Sequence, residues 1–319
     1  MKTLNNRNIV FIEYIRLVAL LSVIFFHIMG MLMNRSYLTH ITTLKYLMFV
    51  SNYLVGIAVP FFMFISGFLY KKPAKDQTSA FLRKKAVRLL LPYPIFTVLT
   101  MLASGFFEFH YLYDGGFWHL WFLTALFWCF VVSVKIDYSF RIAYVILLVS
   151  LMLMYVRLPS FLGIQDFVQW FYFFVLGAIV KNHGILQKIN NGGIVGLLIV
   201  YATINILLPF HYRERSIAHA IAVSSFIMAI WAVAPKIHFA KSGIVESVGK
   251  YSMGIYILHY IVLIFILSST SFRLFHIKDA LTIFPILTIV TILAITLIIC
   301  YICVFFLRIN KWTRCMIGG

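Results

Sequence analysis

A run of apolar residues from Ile9 to Met33, IVFIEYIRLVALLSVIFFHIMGMLM, sets the first limit on how this chain can fold. The hydrocarbon core of a bilayer is about 30 Å thick, and a helix needs about 20 residues to cross it, so the run is long enough to span. It also carries Glu13, Arg16 and His27, which a lipid-facing helix excludes. An Arg at the centre of a membrane helix costs roughly 2.5–3.5 kcal/mol or more. Arg16 and His27 are separated by about 1100° of helical rotation, only about 20° from three full turns, so they share one face. The rise between them is about 16 Å, half of the membrane thickness. Glu13, three positions before Arg16, is placed to pair with it. Taken alone, this face has two readings. Glu13 and Arg16 can be interfacial anchors with His27 near the opposite headgroups, or the face can be turned into a polar interior.

Composition favours a polytopic membrane protein over a soluble domain with an anchor. The chain of 319 residues is 63% hydrophobic and 11% charged, against about 25% charged for ordinary domains. Its net charge of +18 does not point to nucleic acid, because the Lys and Arg are spread among short segments between apolar runs. Such an excess belongs on the cytoplasmic side of a membrane. The four cysteines, Cys129, Cys300, Cys303 and Cys315, suggest neither a disulfide framework nor a metal site, since three lie in apolar runs. The first run follows Lys2 and Arg7 as a signal peptide would, but it is too long and lacks a small-residue cleavage site. It is expected to be retained.

Ten spans are expected, at 9–33, 44–70, 87–107, 116–134, 142–157, 167–181, 192–210, 217–235, 250–271 and 282–307. With the N-terminus inside, the inner segments hold nineteen of the 27 cations and the outer segments seven, while Arg16 lies within a span. This bias predicts an all-α integral membrane bundle of about ten transmembrane helices, N-in and C-in. No repeat or separate soluble region is visible, so residues 1–319 read as one domain.

Four stretches could carry chemistry. The inner loop 71–86, KKPAKDQTSAFLRKKA, together with Arg88 sets seven cations against Asp76. It is either topogenic charge attracted to anionic lipid or an anion site at the cytoplasmic mouth. The second span ends VPFFMFISGFLY (59–70), where Pro60, Ser66 and Gly67 allow close packing. The fourth opens FWHLWFL (117–123), placing His119 between Trp118 and Trp121 near the outer surface, as an aromatic belt or as a contact for a sugar. The ninth, GKYSMGIYILHY (249–260), brings His259 to about mid-membrane with Tyr256 on the same side. There is no Walker loop, no HExxH and no Cys/His ligand spacing. Acidic residues number nine and only Glu13 lies clearly within a span, which is few for a proton-coupled transporter. A His base with a cationic entrance suits group transfer across the membrane.

Together, Arg16-x10-His27, PFFMFISGFLY (60–70), the basic FLRKKAVRLLLPY (81–93), HLWFL (119–123) and GKYSMGIYILH (249–259) resemble the short, domain-less members of the acyltransferase 3 family of integral membrane O-acyltransferases. The resemblance runs over essentially the whole chain. It implies a ten-helix core and an acyl group, usually acetyl, passed from cytoplasmic acetyl-CoA to a hydroxyl of a cell-surface polysaccharide or lipid-linked glycan. It implies His27 as catalytic base and Arg16 as the group that orients the acyl-CoA, with Glu13 standing where the family often has Asp. Arg83, Lys84, Lys85 and Arg88 are expected to bind the CoA phosphates, although Lys85 stands where the family has an Arg, and Lys lacks the bidentate fork. His119, Trp121, Tyr256 and His259 are the expected substrate contacts. Neither a metal nor nucleic acid is implied, and the expected site is a bacterial plasma membrane, among membrane lipids. A polysaccharide exporter without acyl transfer is the competing reading.

Overall fold

A computed structural model describes residues 6–114, 119–139, 141–208, 216–237, 239–240 and 242–318. Phe117 and Trp118, and the cations Lys2, Arg213, Arg215 and Lys241 used in the orientation argument, lie outside the described residues. Among the described residues every regular element is helical. The helices are α1 (Asn6–Met33), α2 (Thr42–Leu69), α3 (Thr78–Leu89), α4 (Pro92–Ser104), α5 (Trp121–Ser133), α6 (Ile142–Leu153) and α7 (Ile164–Asn182). They are followed by α8 (Asn191–Leu207), α9 (Ile217–Val233), α10 (Gly243–Ile266), α11 (Ser269–Leu274), α12 (Ile277–Ile283), α13 (Pro285–Leu307) and α14 (Lys311–Met316).

Among the described residues, seven helical segments are long and apolar enough to cross a membrane: Ile9–Met33, Thr42–Leu69, Lys75–Ser104, Phe161–Asn182, Ile217–Lys236, Gly243–Ile266 and Pro285–Leu307. Shorter apolar helices, Trp121–Ser133, Ile142–Leu153 and Asn191–Leu207, stand where three further spans were expected. The outer helices keep apolar faces exposed, as at Ile286, Leu287, Val290, Ile298 and Phe306 of α13. In water such a face would be a liability, whereas in lipid it is the ordinary surface. The protein is a multi-pass, all-helical membrane protein.

Two expected boundaries are corrected. The basic stretch 71–86 is only partly a loop, because Thr78–Leu89 is helical. Phe81, Lys85 and Leu89 recur at a spacing of four, giving α3 an inward stripe with Leu89 buried, while Arg83 and Lys84 point out. Pro92 lacks an N–H and begins a new helix at its first position, which separates α3 from α4. The ninth span begins at Gly243 rather than at 250, so Gly249 and Lys250 lie within a helix.

At the centre, α1 packs on α2, α10 and α13, and α2 packs on α7. Twelve residues of α7 are buried, among them Phe171, Phe173 and Phe174. The α2–α7 contact depends on two glycines. A Cβ on Gly67 would collide with the Phe174 carbonyl, and one on Gly177 with the Phe64 carbonyl. Both obstacles are helix backbone and cannot swing aside, so the helices approach as closely as they do only with small residues there. We therefore expect Gly177→Ala to destabilise the protein by about 1–3 kcal/mol or more. Gly196→Ala on α8, where nothing lies within 4 Å of the added carbon, should be neutral or gain about 0.5–1 kcal/mol. Thermal unfolding in detergent distinguishes the two, and an unchanged transition for Gly177→Ala would refute the close contact.

Candidate active site

The expected polar residues converge from three elements. α1 supplies His27, the turn ahead of α5 supplies His119, and α10 supplies His259. Their ring centroids are 5.2 Å (His27–His259), 6.1 Å (His27–His119) and 5.1 Å (His119–His259) apart. His119 is 1% exposed and His259 is fully buried, whereas His27 is only half-buried. His119 is therefore not a member of an interfacial belt. The chain folds it inward against α10, where its Nε2 donates to the Ile257 carbonyl at 3.2 Å and its backbone carbonyl accepts from the Tyr256 hydroxyl.

Hydrogen bonds assign the protons on these rings. A backbone carbonyl only accepts, so the His259 Nδ1 that meets the Tyr256 carbonyl must carry the proton. Its Nε2 is then a buried lone pair, and it has no hydrogen-bond partner. His27 makes no hydrogen bond among the described residues. Among the described residues its aromatic-ring contacts are with Phe26, the other two imidazoles and Tyr260. Tyr260 stacks on His119 at 5.0 Å and presents its ring edge-on to His27 at 5.2 Å. It belongs to the site although sequence reasoning passed over it. The only hint was its place directly after His259, and without the α5 turn nothing gave that place meaning.

One helical turn from this cluster a cavity of about 400 Å³ begins. Its cationic wall is Arg16, Lys71, Lys85, Arg88 and Lys250, and Tyr256 lines it at the histidine end. Of the four cations expected on α3, Lys85 and Arg88 face this cavity. Arg83 and Lys84 line none of it, whereas Arg88, exposed as they are, does. Lys85 rests over the Phe130 ring at 4.0 Å, so its ammonium is held against the wall. Lys71 belongs to the 71–86 stretch read as a possible anion site, though not among the residues expected to bind the donor, and Lys250 is an addition, counted from sequence only as topogenic charge. Glu13 does not pair with Arg16. The ion pairs among the described residues involve neither group, and the Glu13 side chain instead lies against the bare backbone of Gly249. There it shares a shallower recess with Arg16, Glu246 and Lys250.

Trp121 is not part of the histidine cluster. It stacks on Trp170 at 6.0 Å and lines a second cavity of about 250 Å³. Among the described residues no group of His, Cys, Asp and Glu is arranged to hold a metal ion. The arrangement offers a half-buried imidazole without a hydrogen bond, flanked by two buried ones, and a cationic vestibule for an anionic group. Carbethoxylation by diethyl pyrocarbonate should therefore strike His27 before His119 or His259, as mapped by mass spectrometry. Equal labelling of the three would contradict the difference in exposure.

A family model described as an acyltransferase domain matches residues 9–305, nearly the whole chain. Neither a curated relative nor a solved structure matches it.

Proposed function

The chain belongs to the acyltransferase 3 family of membrane acyltransferases, and from that premise we propose that it is an O-acyltransferase moving an acetyl group from cytoplasmic acetyl-CoA to a hydroxyl of a cell-surface polysaccharide or lipid-linked glycan. The observation that carries this reading is the half-buried His27 imidazole, one turn beyond a cation-lined cavity. CoA is a multiply phosphorylated carrier. Lys85, Arg88 and their neighbours provide point charges and a guanidinium fork for its phosphates. Arg16 stands deeper and meets the acyl-bearing arm. His27 takes the proton from the acceptor hydroxyl, and the oxygen attacks the thioester carbonyl. The carbon–sulfur bond then breaks, and the proton passes to the departing thiolate. His119, His259 and Tyr260 hold the imidazole in place.

The orientation belongs to the same proposal. Glu13 lies beside Gly249 and His27 beside His259, so α1 and α10 run in the same direction. That supports an even number of crossings in which both termini, and the cationic cavity, face the cytoplasm of a bacterial cell. The exporter reading is weakened by the ring contacts of Phe122 with Phe62 at 5.9 Å and with Tyr256 at 5.6 Å. All three rings line the cationic cavity, and a polymer passing beyond Tyr256 would have to part them.

The test is transfer of labelled acetyl from acetyl-CoA by purified protein with glycan acceptor. His27→Ala should lose about 10²–10⁴-fold in rate, the usual contribution of a positioned base. Full activity in that variant, or none in wild type while glycan transport depends on the protein, would refute the enzyme reading. Lys85→Ala with Arg88→Ala should weaken acetyl-CoA binding at least about tenfold, since a hydrogen bond to a charged group contributes about 1.5–3 kcal/mol. Arg83→Ala with Lys84→Ala should change that affinity little. Equal losses in the two double variants would show that the charge of α3, rather than its inward face, holds the donor.

A further inference from the structure

The second cavity lies at the opposite end of the bundle from the cations. Arg16 of α1 lines the cationic cavity and Phe26, about 15 Å further along the helix axis, lines this one. On α2 the corresponding residues are Ser66 for the first and Asn52 for the second. Its walls adjoin the histidine cluster, since Phe26 directly precedes His27 and Trp121 follows His119 by two positions.

Three features define what it can hold. The first is an aromatic wall, the Trp121–Trp170 pair, with the indoles stacked 6.0 Å apart and 22° from parallel. The second is unspent amide chemistry. Gln169 is 6% exposed and Asn52 is half-buried, both line the cavity, and neither side chain makes a hydrogen bond among the described residues. A carboxamide is both donor and acceptor, and burying one without a partner is costly. Its neighbours have already settled theirs: Asn205 donates to the Tyr201 carbonyl, and the Tyr53 and Tyr201 hydroxyls meet. The third is the absence of formal charge, for no Asp, Glu, Lys or Arg is among the described residues of the lining.

We infer that this cavity binds the acceptor as a neutral, hydroxyl-bearing sugar ring, stacked on Trp121 and Trp170 and hydrogen-bonded by Gln169 and Asn52. Each element matches one property of such a ring. Its C–H face suits an indole plane, and its hydroxyls, which donate and accept, suit carboxamides. An anionic sugar would find no Lys or Arg among the described lining residues, and an alkyl chain would leave both amides unsatisfied. The inference rests on the acyltransferase reading for the word acceptor, but the binding itself does not depend on it.

The test uses full-length protein in lipid nanodiscs, free of sugar-based detergent. Tryptophan emission is titrated with methyl glucoside, methyl galactoside, N-acetylglucosamine, glucose 6-phosphate and decanoate. At least one neutral sugar should give a saturable change. Gln169→Ala should raise its Kd about fivefold or more, and Trp170→Ala should abolish the response, with acetyl-CoA affinity within about twofold of wild type in both. If Trp170→Ala does not fold, Gln169→Leu, which keeps the volume and removes the amide, takes its place. The inference is overturned if no neutral sugar binds, if binding is unaltered in Gln169→Ala and Gln169→Leu, or if only decanoate competes. Sugar binding lost in these variants, in a protein that transfers no acetyl group, would uphold the site and remove the enzyme reading. Acetyl transfer with an unchanged acceptor KM in Gln169→Ala would do the reverse.

Discussion

A polar side chain at membrane depth has no water to return to, and this constraint organises the bundle. His27, His119 and His259 come from elements far apart in the chain, and each is tolerable because the others and two tyrosines surround it. The contacts that satisfy them also fasten the structure. Tyr256 holds the His119 carbonyl, and His119 holds the Ile257 carbonyl, which ties the turn before α5 to α10. His27 brings α1 against the same stretch. Separating the α5 turn from α10 would leave the His119 Nε2 and the His119 and Ile257 carbonyls without these partners in a low dielectric, where that loss is greatest. The polar centre therefore specifies the arrangement of α1, α5 and α10, while the apolar contact of α2 with α7 supplies close packing beside it.

Charge is distributed unevenly around that centre. The cations that line a cavity lie on one side, and the cavity on the other side has no formal charge among its described lining residues. The two ends can then differ in what they attract. Under the proposed reading the phosphorylated carrier is drawn to the cationic end by long-range attraction, whereas a neutral ring at the far end is recognised only at contact, through its face and its hydroxyls.

Legibility in the sequence followed periodicity. Arg16 and His27 were readable because one helix imposes their relation. So were the positions of most helices, through long apolar runs such as Thr42–Leu69 and Pro285–Leu307. Relations between helices were not. Composition marked the α3 cations as a group but could not divide Lys85 and Arg88 from Arg83 and Lys84, because that needs the face α3 turns inward. The Glu13–Arg16 pairing was plausible by spacing, but Gly249 on another helix gave Glu13 a different place. His119 looked interfacial because aromatic residues flank it, and its burial depends on α10. The second cavity was beyond reach, since Asn52 and Gln169 are single polar residues in separate apolar runs.

The face shared by Arg16 and His27 acquires a more definite meaning once its opposite wall is known. α10 runs alongside α1 in the same direction, with Gly249 beside Glu13, Tyr256 one turn short of the cluster, and His259 beside His27. Along α10 the cavity lining reaches as far as Tyr256, whose hydroxyl is committed to the His119 carbonyl. A conduit for a polymer would need both walls to part along their length, breaking that bond and exposing the buried His259. Passing an acyl group demands far less, because only a thin arm must reach past Tyr256 while the imidazoles stay in place. The arrangement that packs three histidines against one another in lipid is thus also the one that resists opening, which under the proposed reading favours a reaction across the seam over transport through it.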